Sequence, residues 1–292
     1  MGPKSRDIRS TSDSLPRSIN PALHLDFETT LEIGPSIVYT CVHIIKEKAM
    51  IAEIAPEELA GAVDRVLRKA LAAAGVGQPP VDALRVARRL GLAVAWDDRQ
   101  AGRARRVTLA AAGQQTAAIL LRHDPRVERE QWAVAHEIGE SLAKGVFGEL
   151  GVDPREAPRQ SREIVANSIA SAILLPRECF ATDGPALDWD LLALKERYCT
   201  ASHELIARRM LDCSMPICIS VYDQDRLTWR RSNISCQRLP PSSLESDARL
   251  RAHESGEVVI EFGPPKIQVW PIHEAQWQRE IVRAQIDKFA DE

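Results

Sequence analysis

The chain has no C-x-x-C pair among its six cysteines, no strong net charge and no long uninterrupted apolar run. Each absence removes a class of function. Cys41, Cys179, Cys199, Cys213, Cys218 and Cys236 are scattered, and the first residues are polar, charged and proline-bearing rather than apolar. Neither a secretory leader nor a cysteine-based metal site is therefore expected, and a reducing cytoplasm fits best. A formal charge of −3 at pH 7 gives no global attraction to nucleic acid or to an anionic membrane surface. The longest apolar stretch near the start, Ile37 to Ile45, is broken by Thr40 and His43 and is far too short to span a bilayer, so no membrane anchor is expected. No internal repeat and no long low-complexity run is found.

What is there is a globular chain of 292 residues with 45% apolar content, enough for one sizeable core and a smaller second unit. Residues 1–54 stand apart, rich in Ser, Arg and Pro up to Pro21, and are expected to be a disordered extension. Met50 directly precedes an amphipathic helix, so natural translation is predicted to begin at or near it; the intact mass of protein expressed from its native locus decides this. That helix, Pro56 to Ala74, repeats Leu59, Val63, Val66, Leu67 and Leu71 at helical spacing. A short helix over Val81–Leu90 follows, then strands at Leu92–Trp96, Val107–Ala111 and Ala117–Leu121. Two long helices are predicted over Arg126–Lys144 and Arg159–Leu175, and two short ones between Asp188 and Leu211. Beyond Pro216 the pattern turns to strand at Ile217–Tyr222, Leu227–Trp229, Val258–Ile260 and Ile267–Trp270, and a closing helix is predicted over Glu274–Phe289. The fold class is α+β.

The first of the long helices contains Trp132-Ala133-Val134-Ala135-His136-Glu137-Ile138-Gly139-Glu140. In H-E-x-x-H two histidines four apart share a helical face and bind zinc, while the glutamate between them works on water at the metal. Here the last position is Glu140, which keeps the spacing and changes the ligand. The next helix carries Glu163 and Asn167 at i and i+4, with 22 residues between Glu140 and Glu163. Apart from Asn167 and two serines, the helix from Ile164 onward is apolar, and a carboxylate in such a stretch is expected to need a partner, because burying it unpaired is costly. The dipeptide His-Glu alone proves little, since it also occurs at His203, His253 and His273. His253-Glu254-Ser255-Gly256-Glu257 even repeats the spacing, but its polar, Gly-containing context is read as a solvated turn.

Glu163-x-x-Ala166-Asn167-Ser168-Ile169-Ala170, closing on Leu174-Leu175-Pro176, resembles the E-x-x-A-N-x-F-A-x-x-L-L-x-P signature of the ImmA/IrrE metallopeptidase family. The likeness extends over about residues 56–212, including Pro79-Pro80-Val81-Asp82, Leu90-Gly91-Leu92, Ile119-Leu120-Leu121 and a helix-turn-helix-like stretch at Tyr198–Met210. It implies a zincin-like (gluzincin) metallopeptidase domain over 55–180, helices packed on a small mixed sheet. A helical segment at 181–215 and a C-terminal mixed α/β unit at 216–292 would follow. Known members are zinc-dependent and cleave helix-turn-helix repressors in stress responses or mobile-element control. Carried over, His136, Glu140 and Glu163 are the metal ligands, Glu137 the general base and Asn167 the residue that orients His136.

One histidine and two carboxylates bring a bound Zn²⁺ from a net charge of about +1 to about zero. Water at such a metal is less acidic, and Mn²⁺ or Fe²⁺ compete better for the added oxygen. Tyr198 and His203 are candidate oxyanion donors, against the bland reading of a partly buried tyrosine and a surface histidine. Arg208-Arg209 is read as a solvated helix face, so direct DNA binding is not expected. Trp229, Trp270 and Trp277 are read as core or interface anchors. Two functions lead: a peptidase acting on a protein substrate, a helix-turn-helix repressor by the resemblance, and a catalytically inactive relative that regulates or senses by binding; a DNA-binding regulator using residues 190–212 is least favoured.

Overall fold

The computed structural model describes residues 54–111, 114–234 and 240–286. The expected N-terminal extension and the start at Met50 lie outside them. Helix α1 (Pro56–Ala74) opens with Pro in its first turn followed by Glu57 and Glu58, which suit the positive end of the helix dipole, and it ends at Gly75 with φ 62°. Ala62, Val63, Leu67 and Leu71 form its buried stripe. Helix α2 (Ala83–Arg89) is capped by Asp82, whose carboxylate accepts from the Leu84 and Arg85 N–H groups.

Strands β1 (Ala93–Trp96), β2 (Ala104–Ala111) and β3 (Gln114–Leu121) make a small mixed sheet in the order β1-β3-β2. β1 runs parallel to β3 and β2 antiparallel to it, which leaves β2 at an edge. Helix α3 (Val127–Glu149) carries the H-E-x-x-E run and packs on β2 and β3. Its Gln131 side chain accepts from the Ala83 N–H at 2.7 Å and donates to Asp82 at 3.0 Å, fastening the start of α2. Helix α4 (Arg159–Leu174) buries Val165, Ala166, Ile169 and Ile173 in the core. Helices α5 (Arg177–Ala186), α6 (Leu191–Arg197) and α7 (His203–Arg209) follow. The sequence pattern gives no helix over α5; its Gly184 and Pro185 are weak helix formers and lie near its C-terminal end.

The C-terminal part is a five-stranded antiparallel sheet, β5-β4-β8-β7-β6, made of β4 (Ile217–Asp223), β5 (Arg226–Ser232), β6 (Val259–Glu261), β7 (Ile267–Pro271) and β8 (Arg279–Gln285). Helix α8 (Ser243–Ser255) covers β6, β7 and β8. The predicted closing helix is corrected by β8. Trp277, Ile281, Val282 and Ala284 have helix-like spacing, but pairing with β4 and β7 buries both faces of the segment, including Glu280 and Arg283. One apolar core runs from Ala62 and Val63 through Ile138, Val165 and Ile173 to Ile217, Ile219, Trp270 and Ile281, so the sheet and the helices share it. A smaller core of Tyr222, Ala248, Ala252, Val269 and Val282 lies under α8.

Among the described residues no single helix is long and apolar enough to cross a membrane. The pair α4 and α5 has the composition but bends by 53°, and its apolar residues Val165, Ile169, Ile173 and Phe180 are buried in the core.

Candidate metal centre

The site is built where α3 and α4 touch. A Cβ at Gly139 would stand 2.4 Å from the carbonyl oxygen of Ala166, so only glycine allows the two backbones this close. The approach sets one face of α3, carrying His136 and Glu140, against the face of α4 that carries Glu163 and Asn167. His136 Nε2 lies 3.9 Å from Glu140 Oε1 and 3.8 Å from Glu163 Oε2. One ligand atom from each of the three falls within 4.8 Å of the others.

Asn167 fixes the ring. Its Oδ1 lies 3.0 Å from His136 Nδ1, and its Nδ2 donates to Glu163 Oε1 at 3.1 Å. With Nδ1 as the donor, Nε2 keeps its lone pair for the space between the two carboxylates. Ligands 2.0–2.2 Å from a tetrahedral ion stand roughly 3.4 Å from one another, so separations of 3.8 and 3.9 Å need only a small contraction. The nitrogen and two carboxylate oxygens therefore fit a divalent cation. Side-chain exposures of 46% for Glu140 and 53% for Glu163 keep the site open to water and to a substrate.

Glu137 follows His136 on α3. It is buried, and burial followed by the negative charge of Glu140 raises its pKa, against the opposing influence of His136 and Arg106. Its carboxylate accepts from the Arg106 main chain on the edge strand β2, and the Arg106 guanidinium donates to Ser141 at 2.8 Å. A carboxyl that holds its proton more readily than usual, beside a cation site, suits a group that must accept and release one.

The two candidate oxyanion donors have partners of their own. Tyr198 is wholly buried, packs on Phe180, and donates its hydroxyl to Asp183 at 2.8 Å. Burial, then that bond, pushes its phenol far above the usual range. His203 lines a cleft of about 1180 Å³ with Arg126, Glu128, Glu204, Trp277 and Arg279, and none of His136, Glu137, Glu140 and Glu163 lies on its walls. Glu128 and His136 stand about 12 Å apart along α3. Burial, then the Lys195 charge, lowers the His203 pKa.

Arg208 stacks over Trp229 and pairs with Glu204, while Arg209 pairs with Asp212 and is largely buried, so neither is a free phosphate contact. Trp270 is fully buried, as an anchor should be, and Trp277 is 42% exposed. The stretch at His253 is not a solvated turn throughout. His253 lies in the last turn of α8 and its ring lies 2.8 Å from buried Glu280, while Gly256 and Glu257 are exposed. The sequence signal for this was the capping box Ser242 to Glu245, which starts a helix whose last turn contains His253.

Residues 90–210 match the family model Peptidase_M78, described as the IrrE N-terminal-like domain. That span holds α3, α4 and the small sheet. Among solved structures, the chain is similar to a Mycobacterium tuberculosis transcriptional regulator, with 16% identity, a TM-score of 0.54, and coverage of 78% of this chain and 76% of that one. At that identity the likeness concerns the fold. No curated protein sequence matches the chain.

Proposed function

We propose, from the match of residues 90–210 to the IrrE N-terminal-like domain, that the chain is a metal-dependent peptidase that hydrolyses a peptide bond in a protein substrate. The observation that carries the reading is His136 Nε2 facing the Glu140 and Glu163 carboxylates, with Nδ1 tied to Asn167. His136, Glu140 and Glu163 would hold the ion, Zn²⁺ by family and Mn²⁺ or Fe²⁺ by the added carboxylate. When bound, the ion supplies Lewis acidity that polarises a peptide carbonyl and acidifies a water.

The remaining work falls to the chain's own groups. The Glu137 carboxylate takes a proton from the attacking water and passes it to the leaving amide nitrogen, a role for which its raised pKa suits it. Asn167 keeps the His136 ring in the tautomer that leaves Nε2 free. Edge strand β2, whose Arg106 main chain adjoins Glu137, has no strand on its outer side among the described residues, and an extended peptide can add there as a strand. The substrate class we favour is a helix-turn-helix repressor, on the family resemblance.

A second reading rests on Glu140 itself. Replacement of a neutral ligand by a carboxylate weakens the activation of water, and the neighbouring fold is that of a transcriptional regulator, so a regulator that binds without cutting fits the same chain. The two separate when the full chain, loaded with Zn²⁺ or Mn²⁺, is incubated with a proteome-derived peptide library and new termini are read by mass spectrometry. Cleavage that vanishes in Glu137→Gln while bound metal stays constant supports the peptidase. A wild type that binds metal and yields no more termini than Glu137→Gln supports the binding regulator.

A further inference from the structure

A second group of metal-binding side chains lies in the C-terminal sheet, away from α3 and α4. Glu280 sits on β8, the middle strand of the five, and is wholly buried. Its Oε1 is 2.8 Å from His253 Nδ1 and 2.8 Å from His273 Nε2. Three elements supply these groups: the last turn of α8, the strand β8, and the segment after β7. The two imidazole rings meet edge to face, with centroids 5.7 Å apart.

The other carboxylate oxygen, Glu280 Oε2, is buried and accepts no hydrogen bond from any described residue. Arg249, one turn earlier on α8, stands 3.6 Å from it but binds Asp225 at 2.7 Å and lies over the Tyr222 ring. A carboxylate removed from water with one oxygen unsatisfied is costly unless a cation shares its site. The side chains of His253 and His273 are 26% and 23% exposed, so an ion can reach the carboxylate past the rings.

We propose that His253, His273 and Glu280 form a second divalent-cation site, of the Zn²⁺ class, independent of the His136 centre. Two imidazoles and a carboxylate are the donor set that borderline divalent ions prefer. In the metal-free chain the facing nitrogens donate hydrogens to Glu280 Oε1. On binding, each ring moves its hydrogen to the other nitrogen, and the freed lone pairs turn to the ion. Three protein ligands at a partly exposed position leave coordination sites for water, so the ion is exchangeable rather than sealed in. The ligands adjoin contacts that fasten the sheet to the helices: Glu274 pairs with Arg126 at the start of α3, and Arg279 with Glu204 on α7.

The test uses the full chain carrying His136→Ala, so that only this site is counted. Dialysed against Zn²⁺ and measured by elemental analysis, it should hold about one zinc per chain. The count should fall to about none when His253→Gln and His273→Gln are added. Co²⁺ titrated into the His136→Ala chain gives a reading that does not depend on the folding of the multiple variant. Intense visible bands of a low-coordinate nitrogen and oxygen site support the proposal. No zinc in the His136→Ala chain, zinc that survives loss of both histidines, or a Co²⁺ spectrum like that of the aqueous ion would overturn it and leave a hydrogen-bonded network around a buried carboxylate.

Discussion

The two ring nitrogens of His136 have different tasks, and the difference depends on one amide. Asn167 binds Nδ1 at 3.0 Å and Glu163 at 3.1 Å, so it orders two of the three ligands at once. Asn167→Ala is expected to lower metal affinity by about 10–100-fold while leaving the metal-free melting temperature nearly unchanged. Competition with a chromogenic chelator measures this, and an affinity equal to wild type would remove Asn167 from the site. Glu140 makes the complementary case. It is 46% exposed, so a histidine can replace it without repacking the core. Glu140→His gives the ion a second neutral nitrogen and should raise the preference for Zn²⁺ over Mn²⁺ in the same competition. An unchanged ratio would mean that position 140 does not reach the metal.

At the scale of elements, the site depends on the distance between α3 and α4. Gly139→Ala inserts a methyl where 2.4 Å separates it from the Ala166 carbonyl oxygen, and neither backbone can yield without moving its ligands. Such overpacking costs about 1–3 kcal/mol, so the urea midpoint should fall and metal affinity should fall with it. A midpoint equal to wild type would show that the helices part freely. The convergence of His136 and Glu140 with Glu163 and Asn167 was legible in the sequence, because helical spacing puts each pair on one face and the apolar residues around them fix which face is inward. Helix α1 was legible for the same reason. Helix α8 was not, since only Ala248, Ala252 and Glu245 are buried on it and no apolar stripe marks it. Nor was β8, where a strand buried on both sides carries Glu280 and Arg283 and its neighbours mimic a helical period. The second cation cluster was hidden with them. It needs α8, β7 and β8 assembled before its three residues meet, and nothing local in sequence relates 253, 273 and 280.

Across the whole molecule, the C-terminal sheet is joined to the helices by the shared core and by a few polar ties. Asp223 is at the hub of one. It accepts from Arg279 at 2.6 Å, Thr228 at 2.8 Å and Trp277 at 3.2 Å, and Arg279 also donates to Glu204 of α7 at 2.8 Å. Partial burial pushes the Asp223 carboxyl up, but the bonds from Arg279 and Thr228, the Arg279 charge and the Trp277 indole outweigh it, so it titrates below the ordinary aspartate range. A carboxylate whose folded pKa is depressed adds stability above its unfolded pKa of 3.8, and that stability is lost as pH falls through the folded value. Asp223→Asn should therefore melt below wild type at pH 7, by an amount corresponding to about 2 kcal/mol for a hydrogen-bonded charge. The gap should narrow once the pH falls below the unfolded pKa and close when Asp223 is protonated in the native chain. Melting curves of both proteins from pH 7 down to strongly acidic buffer test this. A gap that stays constant with pH would assign the loss to packing rather than to the charge, and would remove Asp223 from the electrostatic tie between sheet and helices.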